Sequence, residues 1–179
     1  MDFEKQTQED LHKYLVSVDR VDKILPQTPD IDELWPSILE AYLPDGVREF
    51  RNYPIASLGW IMFVGMAVAK YWDVDWEKYQ KEGGKAIYEN LREGKGFDNL
   101  DEHILESVLG VDKEEAEKLT EIVGECASRT LSALHRANFE PGTPQAAQAY
   151  VGALKALYIM GAAMELNALG YHMNPLGSN

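Results

Sequence analysis

Residues 54–69 read PIASLGWIMFVGMAVA, an uncharged stretch rich in glycine and alanine, and residues 156–164 read ALYIMGAAM, a second stretch of the same kind. Apolar residues cover every side of such a helix rather than one stripe, a pattern that is typical of buried helices. The small residues also allow neighbouring helices to approach closely. We therefore predict a fold organised around two largely buried, small-residue-rich helices.

Neither stretch has the form of a membrane span, which needs about 20 predominantly apolar residues. Lys70 closes the first stretch, and extending the second back to Ala149 places Lys155 near its middle. A charge at that position costs roughly 2.5 to 3.5 kcal/mol on insertion scales. We therefore expect the core helices of a soluble protein and no membrane insertion.

Length and composition predict a single domain over residues 1–179, because a chain of 179 residues that is 45% hydrophobic can bury a sizeable core. The first residues lack the basic and apolar segments of a secretory signal. The single cysteine, Cys126, excludes an internal disulfide framework. Together these features predict a cytoplasmic protein.

The acidic charge bears on partners more than on fold. A net charge of −13 repels phosphate backbones and anionic lipid headgroups, so we expect neither nucleic acid nor a membrane surface as a partner. The acidic residues are dispersed along the chain and form no acidic tail. Such a surface suits a protein partner, including a basic one, or a second copy of the chain, and it also serves ordinary solubility.

Helical periodicity extends over nearly the whole chain, and no segment shows the strict alternation of a half-buried strand. Apolar residues from Leu11 to Leu25 recur at helical steps, which predicts a first helix that ends before Pro26. Residues 44–46, Pro-Asp-Gly, have the composition of a turn. The pattern as a whole predicts an all-α bundle of about six to seven helices.

One predicted helix contains two adjacent glycines, which lower helix stability. It begins at Trp76, after an interruption at residues 73–75, continues to Leu91 and passes through Gly83 and Gly84. Each glycine costs a helix about 1 kcal/mol relative to alanine, so the pair marks either a break or a place of close packing. We predict a kinked but continuous helix.

Two later helices have strong start signals. Asp112 with Glu115 has the form of a capping box, in which the first side chain accepts a backbone N–H of the first turn. Thr143 followed by Pro144 is typical of an N-cap and a first helical residue, and the helix that it opens extends to Gly170.

The sequence contains no recognisable catalytic, nucleotide-binding or metal-binding motif. Residues 73–84 begin like a calcium loop, but Lys78 and Gly84 stand where that loop needs glycine and glutamate. One Glu-x-x-His pattern, Glu9 with His12, is a single copy where a di-iron site needs two. We therefore expect no metal and no cofactor; enzymatic activity stays open, and its absence is favoured.

Large aromatic rings give one candidate surface near the end of the first buried stretch. Residues 70–76, KYWDVDW, place rings beside charged groups at a helix junction. That composition is typical of a pocket mouth or a protein interface. The candidate residues are Trp60, Tyr71, Trp72, Trp76 and Tyr79.

Polar candidates for a pocket between helices are Lys155, Glu165, His135 and His172. Lys155 and Glu165 lie nearly three turns apart on one helix, so they cannot pair directly with each other. The absent motifs and the acidic charge favour a non-catalytic module for protein interaction or self-association. The alternative is a small-molecule-binding protein, or an enzyme, with a site between helices that these groups would line.

Overall fold

The computed structural model describes residues 2–172, and over this range the chain forms seven α-helices and no strand. The helices are α1 (Phe3–Ser17), α2 (Pro29–Glu33), α3 (Trp35–Phe50), α4 (Pro54–Lys95), α5 (Leu100–His103), α6 (Lys113–Ala137) and α7 (Pro144–Ala168). A π-helical segment, Ile104–Leu109, follows α5. The prediction of an all-α bundle is confirmed; residues 1 and 173–179 of the predicted domain lie outside the described range.

The first part of α4 and most of α7 form the centre of the bundle. Every position from 61 to 69 in α4 and from 160 to 164 in α7 is buried. The two helices cross at glycines: a Cβ on Gly65 would overlap a backbone carbonyl of α7, and a Cβ on Gly161 would overlap one of α4. The small residues therefore bring the two backbones into contact, and both predicted buried helices are present.

Both central helices also have the length and composition of a membrane span. Their apolar windows are mostly covered by the rest of the protein, since 67% of the window in α4 and 72% of the window in α7 is buried. Core helices of soluble proteins combine these properties. The apolar stretches were expected to be too short for a membrane span, but the helices that contain them are long enough. The burial of their apolar windows, and not their length, is therefore the feature that favours a core role.

Helix α4 is interrupted twice. Asp75 has φ −162° and ψ 76°, which agrees with the predicted interruption at residues 73–75, and Gly83 has φ 84° and ψ 163°. The second conformation is essentially restricted to glycine. Gly84 then packs so tightly on α3 that a Cβ would overlap the hydroxyl of Ser37. The predicted kink is present at Gly83, but the helical conformation is not continuous there, because the chain turns to bring Gly84 against α3.

The prediction that the first helix continues to Leu25 is also wrong. Helix α1 ends at Ser17, and Asp19 has a positive φ of 60°. Val21 still lies in the core, at 4% exposure, although it belongs to the loop after the helix. Apolar residues anchored from a loop thus extend the helical periodicity beyond the helix itself.

The turn predicted at residues 44–46 is wrong, because α3 continues through them to Phe50. Asp45 is buried against α4 and accepts hydrogen bonds from donors on α3 and α4. Gly46 lies so close to Tyr42 that a Cβ would overlap its ring. These contacts keep in helical form three residues whose local preference is a turn.

The start signals of the last two helices are confirmed. The side chain of Asp112 accepts a backbone N–H three residues later at 2.8 Å, and Thr143 does the same at 3.2 Å. Helix α7 ends at Ala168, two residues before the predicted end at Gly170.

Candidate functional site

A cavity of about 410 Å³ lies where the loop before α2 meets the end of α7. Its walls are residues 26–31, Trp72 of α4, Leu166 of α7 and residues 170–172. The first wall contains two prolines: Pro26 restricts the backbone of the loop, and Pro29 is the first residue of α2. The cavity therefore brings together Trp72, from the aromatic candidates, and His172, from the polar candidates.

The side chain of Trp72 is held in place by two neighbours at the cavity. Its indole N–H donates to Oδ2 of Asp30 at 3.3 Å, and its ring packs edge to face on Tyr171, with the centroids 5.3 Å apart. The hydroxyl of Tyr171 donates to Oδ1 of Asp73 at 2.6 Å. This hydrogen bond raises the pKa of Tyr171 above its ordinary value. The two rings thus form an ordered aromatic wall.

His172 is tied to the loop that leads into α2. Its Nδ1 lies 3.0 Å from Oδ2 of Asp22, and Asn167 of α7 donates to the other oxygen of the same carboxylate at 3.3 Å. The backbone carbonyl of Asp22 lies 2.9 Å from Nε2 of His12 in α1. Asp22 therefore joins α1, the loop and the end of α7 beside the cavity.

Four of the five aromatic candidates, Tyr71, Trp72, Trp76 and Tyr79, lie around the bend in α4, and we name this group the aromatic junction. Tyr71 and Tyr79 stack across the bend with centroids 4.1 Å apart, and burial raises the pKa of Tyr71 to about 12. Trp76 is half-buried against the core. Trp60 lies apart, about three turns before Trp72, and its N–H donates to the carbonyl of Phe97 at 2.8 Å.

The structure does not bring the four polar candidates together. Nζ of Lys155 lies 3.8 Å from Oε2 of Glu4 in α1. His135 is exposed in the last turn of α6. Glu165 lines a different cavity, of about 320 Å³, between α6, α7 and the loop after α1. Of the four, only His172 lines the cavity that also contains Trp72.

The cavity around Glu165 has its own electrostatics. Arg20 and Glu115 form a two-bond ion pair along its wall, at 2.8 and 2.9 Å. Burial is the main cause that raises the pKa of Glu165 to about 7, while Lys70 lowers that pKa and Asp73 and Glu115 raise it further. Among residues 2–172, no side chain or backbone group donates a hydrogen bond to this carboxylate. The charge of Glu165 therefore changes near neutral pH.

The buried carboxylate of Asp45 was not among the candidates predicted from the sequence. Its Oδ2 accepts from the hydroxyl of Tyr88 at 2.7 Å and from Nε of Arg92 at 2.8 Å, and its Oδ1 accepts from Arg48 at 3.0 Å. Apolar residues at helical spacing on both sides of residues 44–46 are the signal that could have placed it in a helix. Both oxygens are satisfied, so this cluster fastens α3 to α4 and offers no free group to a ligand.

The part of the chain that the structure describes contains neither a cluster of metal-binding side chains nor a cysteine with the properties of a nucleophile. No three His, Cys, Asp or Glu side chains there are grouped so that they could hold a metal ion. Cys126 lies in the core, and burial raises the pKa of its thiol to about 12. A thiol with so high a pKa carries almost no thiolate at neutral pH.

Comparison with protein-family models, curated proteins and solved structures finds no match to this chain. The choice of a site therefore depends on the cavity itself and on the charges and rings around it.

Proposed function

We propose that the protein binds a small molecule, without catalysis, in the cavity between residues 26–31, Trp72 and His172. The observation that carries this proposal is the cavity, whose volume of about 410 Å³ falls within the roughly 300 to 1,000 Å³ of ligand pockets. Buried Ile31 and Leu166 supply apolar wall. A mostly apolar lining with a few fixed polar groups is typical of ligand sites.

The side chains of the cavity walls are held in place by contacts within the protein, and this supports the proposal. Trp72 is held by Asp30 and Tyr171, and His172 is held by Asp22. Side chains that are already ordered lose little conformational entropy when a ligand arrives. The site therefore suits a ligand that enters without a rearrangement of the helices.

Binding is favoured over reaction because the side chains of Tyr171 and His172, which line the cavity, are each engaged with a carboxylate. The hydroxyl of Tyr171 donates to Asp73, and the ring of His172 faces Asp22. The proposal keeps the expectation of a cytoplasmic protein that binds neither nucleic acid nor a membrane surface, which the net charge of −13 favours.

The first test is a thermal-shift screen of metabolites on the purified chain, because a ligand that binds the folded state raises its melting temperature. Compounds that stabilise the protein are then titrated against Trp72→Phe, which keeps a ring but removes the indole N–H. Trp60→Phe is the matched control, since it removes an indole N–H bonded at 2.8 Å outside the cavity. We expect Trp72→Phe alone to weaken binding, by about tenfold.

Two results contradict the proposal. One is a screen in which no compound raises the melting temperature. The other is a bound compound whose affinity is the same in the wild type, Trp72→Phe and Trp60→Phe, because such a compound binds elsewhere on the protein.

A second candidate function is self-association, or binding of another protein, through the aromatic junction. The specific observation is exposed apolar surface at the bend in α4: Val74 is 63% exposed, and Tyr171, which packs on Trp72, is 43% exposed. Aromatic residues beside exposed apolar groups are enriched at protein interfaces. Light-scattering mass at two concentrations separates this candidate from a monomeric ligand-binding protein.

A further inference from the structure

We propose that the cavity selects an organic cation, a molecule that carries an ammonium group on an apolar or aromatic body. This inference rests on the proposed function, because it names the chemical class of ligand for the same cavity. Three features support it: a lining carboxylate with an unused oxygen, two aromatic rings, and the arrangement of charge behind the walls.

Asp30 supplies the negative charge. It lines the cavity, and its Oδ2 accepts only the long, 3.3 Å hydrogen bond from Trp72. Among residues 2–172, no group donates to its other oxygen, Oδ1. A carboxylate with a free oxygen at the wall of a half-enclosed cavity is a partner for a charged donor such as an ammonium group.

The charged side chains behind the walls formed by Tyr171 and His172 are also negative, like Asp30. Asp73 stands behind Tyr171, and Asp22 stands behind His172. His172 is the only described lining residue whose side chain can carry a positive charge, and Nδ1 of its ring already faces Asp22 at 3.0 Å. The cavity thus has no unpaired cation for an anionic ligand among its described residues, and a cation is attracted from several sides.

The aromatic wall favours a cation as well. Trp72 and Tyr171 meet edge to face, with an angle of 71° between their planes, so two ring surfaces border the cavity. The face of an aromatic ring attracts cations, and tryptophan does so most strongly. A bare metal ion does not fit, since no three metal-ligating side chains are grouped in the described residues. An organic body is needed to fill the apolar part of the cavity.

The test uses three probes that share an indole body and differ in charge: tryptamine, indole-3-acetamide and indole-3-acetate. Each is titrated into ¹⁵N-labelled protein while the indole N–H signal of Trp72, assigned with Trp72→Phe, is followed by NMR. We expect tryptamine to bind at least about fivefold more tightly than the amide, and the acetate to bind most weakly. The preference should shrink when the salt concentration rises from about 20 to about 200 mM.

Two variants separate direct contact from overall charge. Asp30→Asn removes the charge but keeps an oxygen for the indole of Trp72, so we expect tryptamine and the amide to bind it about equally. Glu33→Gln is the control, because it removes an equal charge from an exposed position on the same short helix. The preference for tryptamine should persist in this control.

The inference is overturned if the amide or the acetate binds as tightly as tryptamine, or if Asp30→Asn and Glu33→Gln have the same effect. Either result leaves the proposed ligand site in place with a different ligand class. If none of the three probes moves the Trp72 signal, the inference is also overturned. The compound screen with Trp72→Phe and Trp60→Phe then decides the proposed function by itself.

Discussion

The backbone carbonyl of Met62 occupies the space that a side chain on Gly161 would need. A Cβ at this glycine would overlap the Met62 oxygen and would also press on its side chain. The reciprocal contact, between Gly65 and the carbonyl of Tyr158, lies on the same face of the crossing. The two central helices therefore touch backbone to backbone, and neither contact can relax by rotation of a side chain.

Gly161→Ala should destabilise the fold by at least about 2 kcal/mol, because a methyl group cannot enter a backbone contact without moving a helix. Gly124→Ala is the matched control: this glycine lies inside α6 and has nothing within 4 Å of the added Cβ. The control should stabilise the protein by about 0.5 to 1 kcal/mol, since alanine is the better helix former. Urea unfolding measures both changes; equal values for the two variants would contradict the close contact.

Tyr88→Phe should cost about 1.5 to 3 kcal/mol, because it removes a hydrogen bond to the buried carboxylate of Asp45. The distance is 2.7 Å, and Asp45 is 5% exposed, so water does not replace the lost donor. Tyr53→Phe removes a hydroxyl from a tyrosine that is 66% exposed and should change the free energy of unfolding by less than about 0.5 kcal/mol. A small loss for Tyr88→Phe would show that the hydroxyl contributes little to the attachment of α3 to α4.

The starts of α6 and α7 could be predicted because an N-cap depends only on residues that are close in the sequence. The side chains of Asp112 and Thr143 need only a backbone N–H three residues away, so their capping role is visible in the sequence. The failures lie where distant residues decide. Asp45 is helical because of donors on α4, and Gly83 leaves the helix because Gly84 must reach α3.

At the candidate site too, the residue types could be predicted from the sequence, but the contacts between distant residues could not. Trp72 and His172 were both candidates, but for different reasons, and they lie far apart in the chain. No periodicity relates them, and the segment of residues 26–31, which completes the cavity, carries no sequence signal that connects it with either residue. Lys155 and Glu165 face different neighbours, since Lys155 reaches Glu4 of α1. A sequence thus supplies the chemistry of a site, while the packing of helices determines which groups meet.

Glu165 should make the stability of the protein depend on pH between about 4.5 and about 7. Burial raises the pKa of this carboxyl from 4.5 to about 7 in the folded state, so in this window the folded chain holds a proton that the unfolded chain has lost. The free energy of unfolding therefore falls as the pH rises through the window. Glu165→Gln removes the cost of the buried charge, and its melting temperature should exceed that of the wild type near pH 8.

Below about pH 4.5 the two proteins should melt at nearly the same temperature, because the carboxyl is then protonated in both the folded and the unfolded chain. Glu117→Gln removes an equal charge from an exposed position on α6 and should follow the wild-type pH profile. A Glu165→Gln profile that runs parallel to the wild type would contradict the raised pKa.

Val74→Glu tests self-association through the aromatic junction. Val74 is 63% exposed, two residues after Trp72, and does not line the cavity that contains Trp72. If two copies meet at this surface, a buried, unpaired carboxylate at the contact is strongly unfavourable, so the variant should be monomeric at concentrations where the wild type is a dimer by light scattering. Because the position is exposed in the monomer, its melting temperature should change little.

Val47→Glu is the control for that experiment, since Val47 is a similarly exposed valine, at 59%, on α3. It adds the same charge away from the aromatic junction, so its dimer should persist. A dimer that is lost in Val47→Glu and kept in Val74→Glu would move the interface to α3. A wild type that is monomeric at every concentration would contradict self-association altogether.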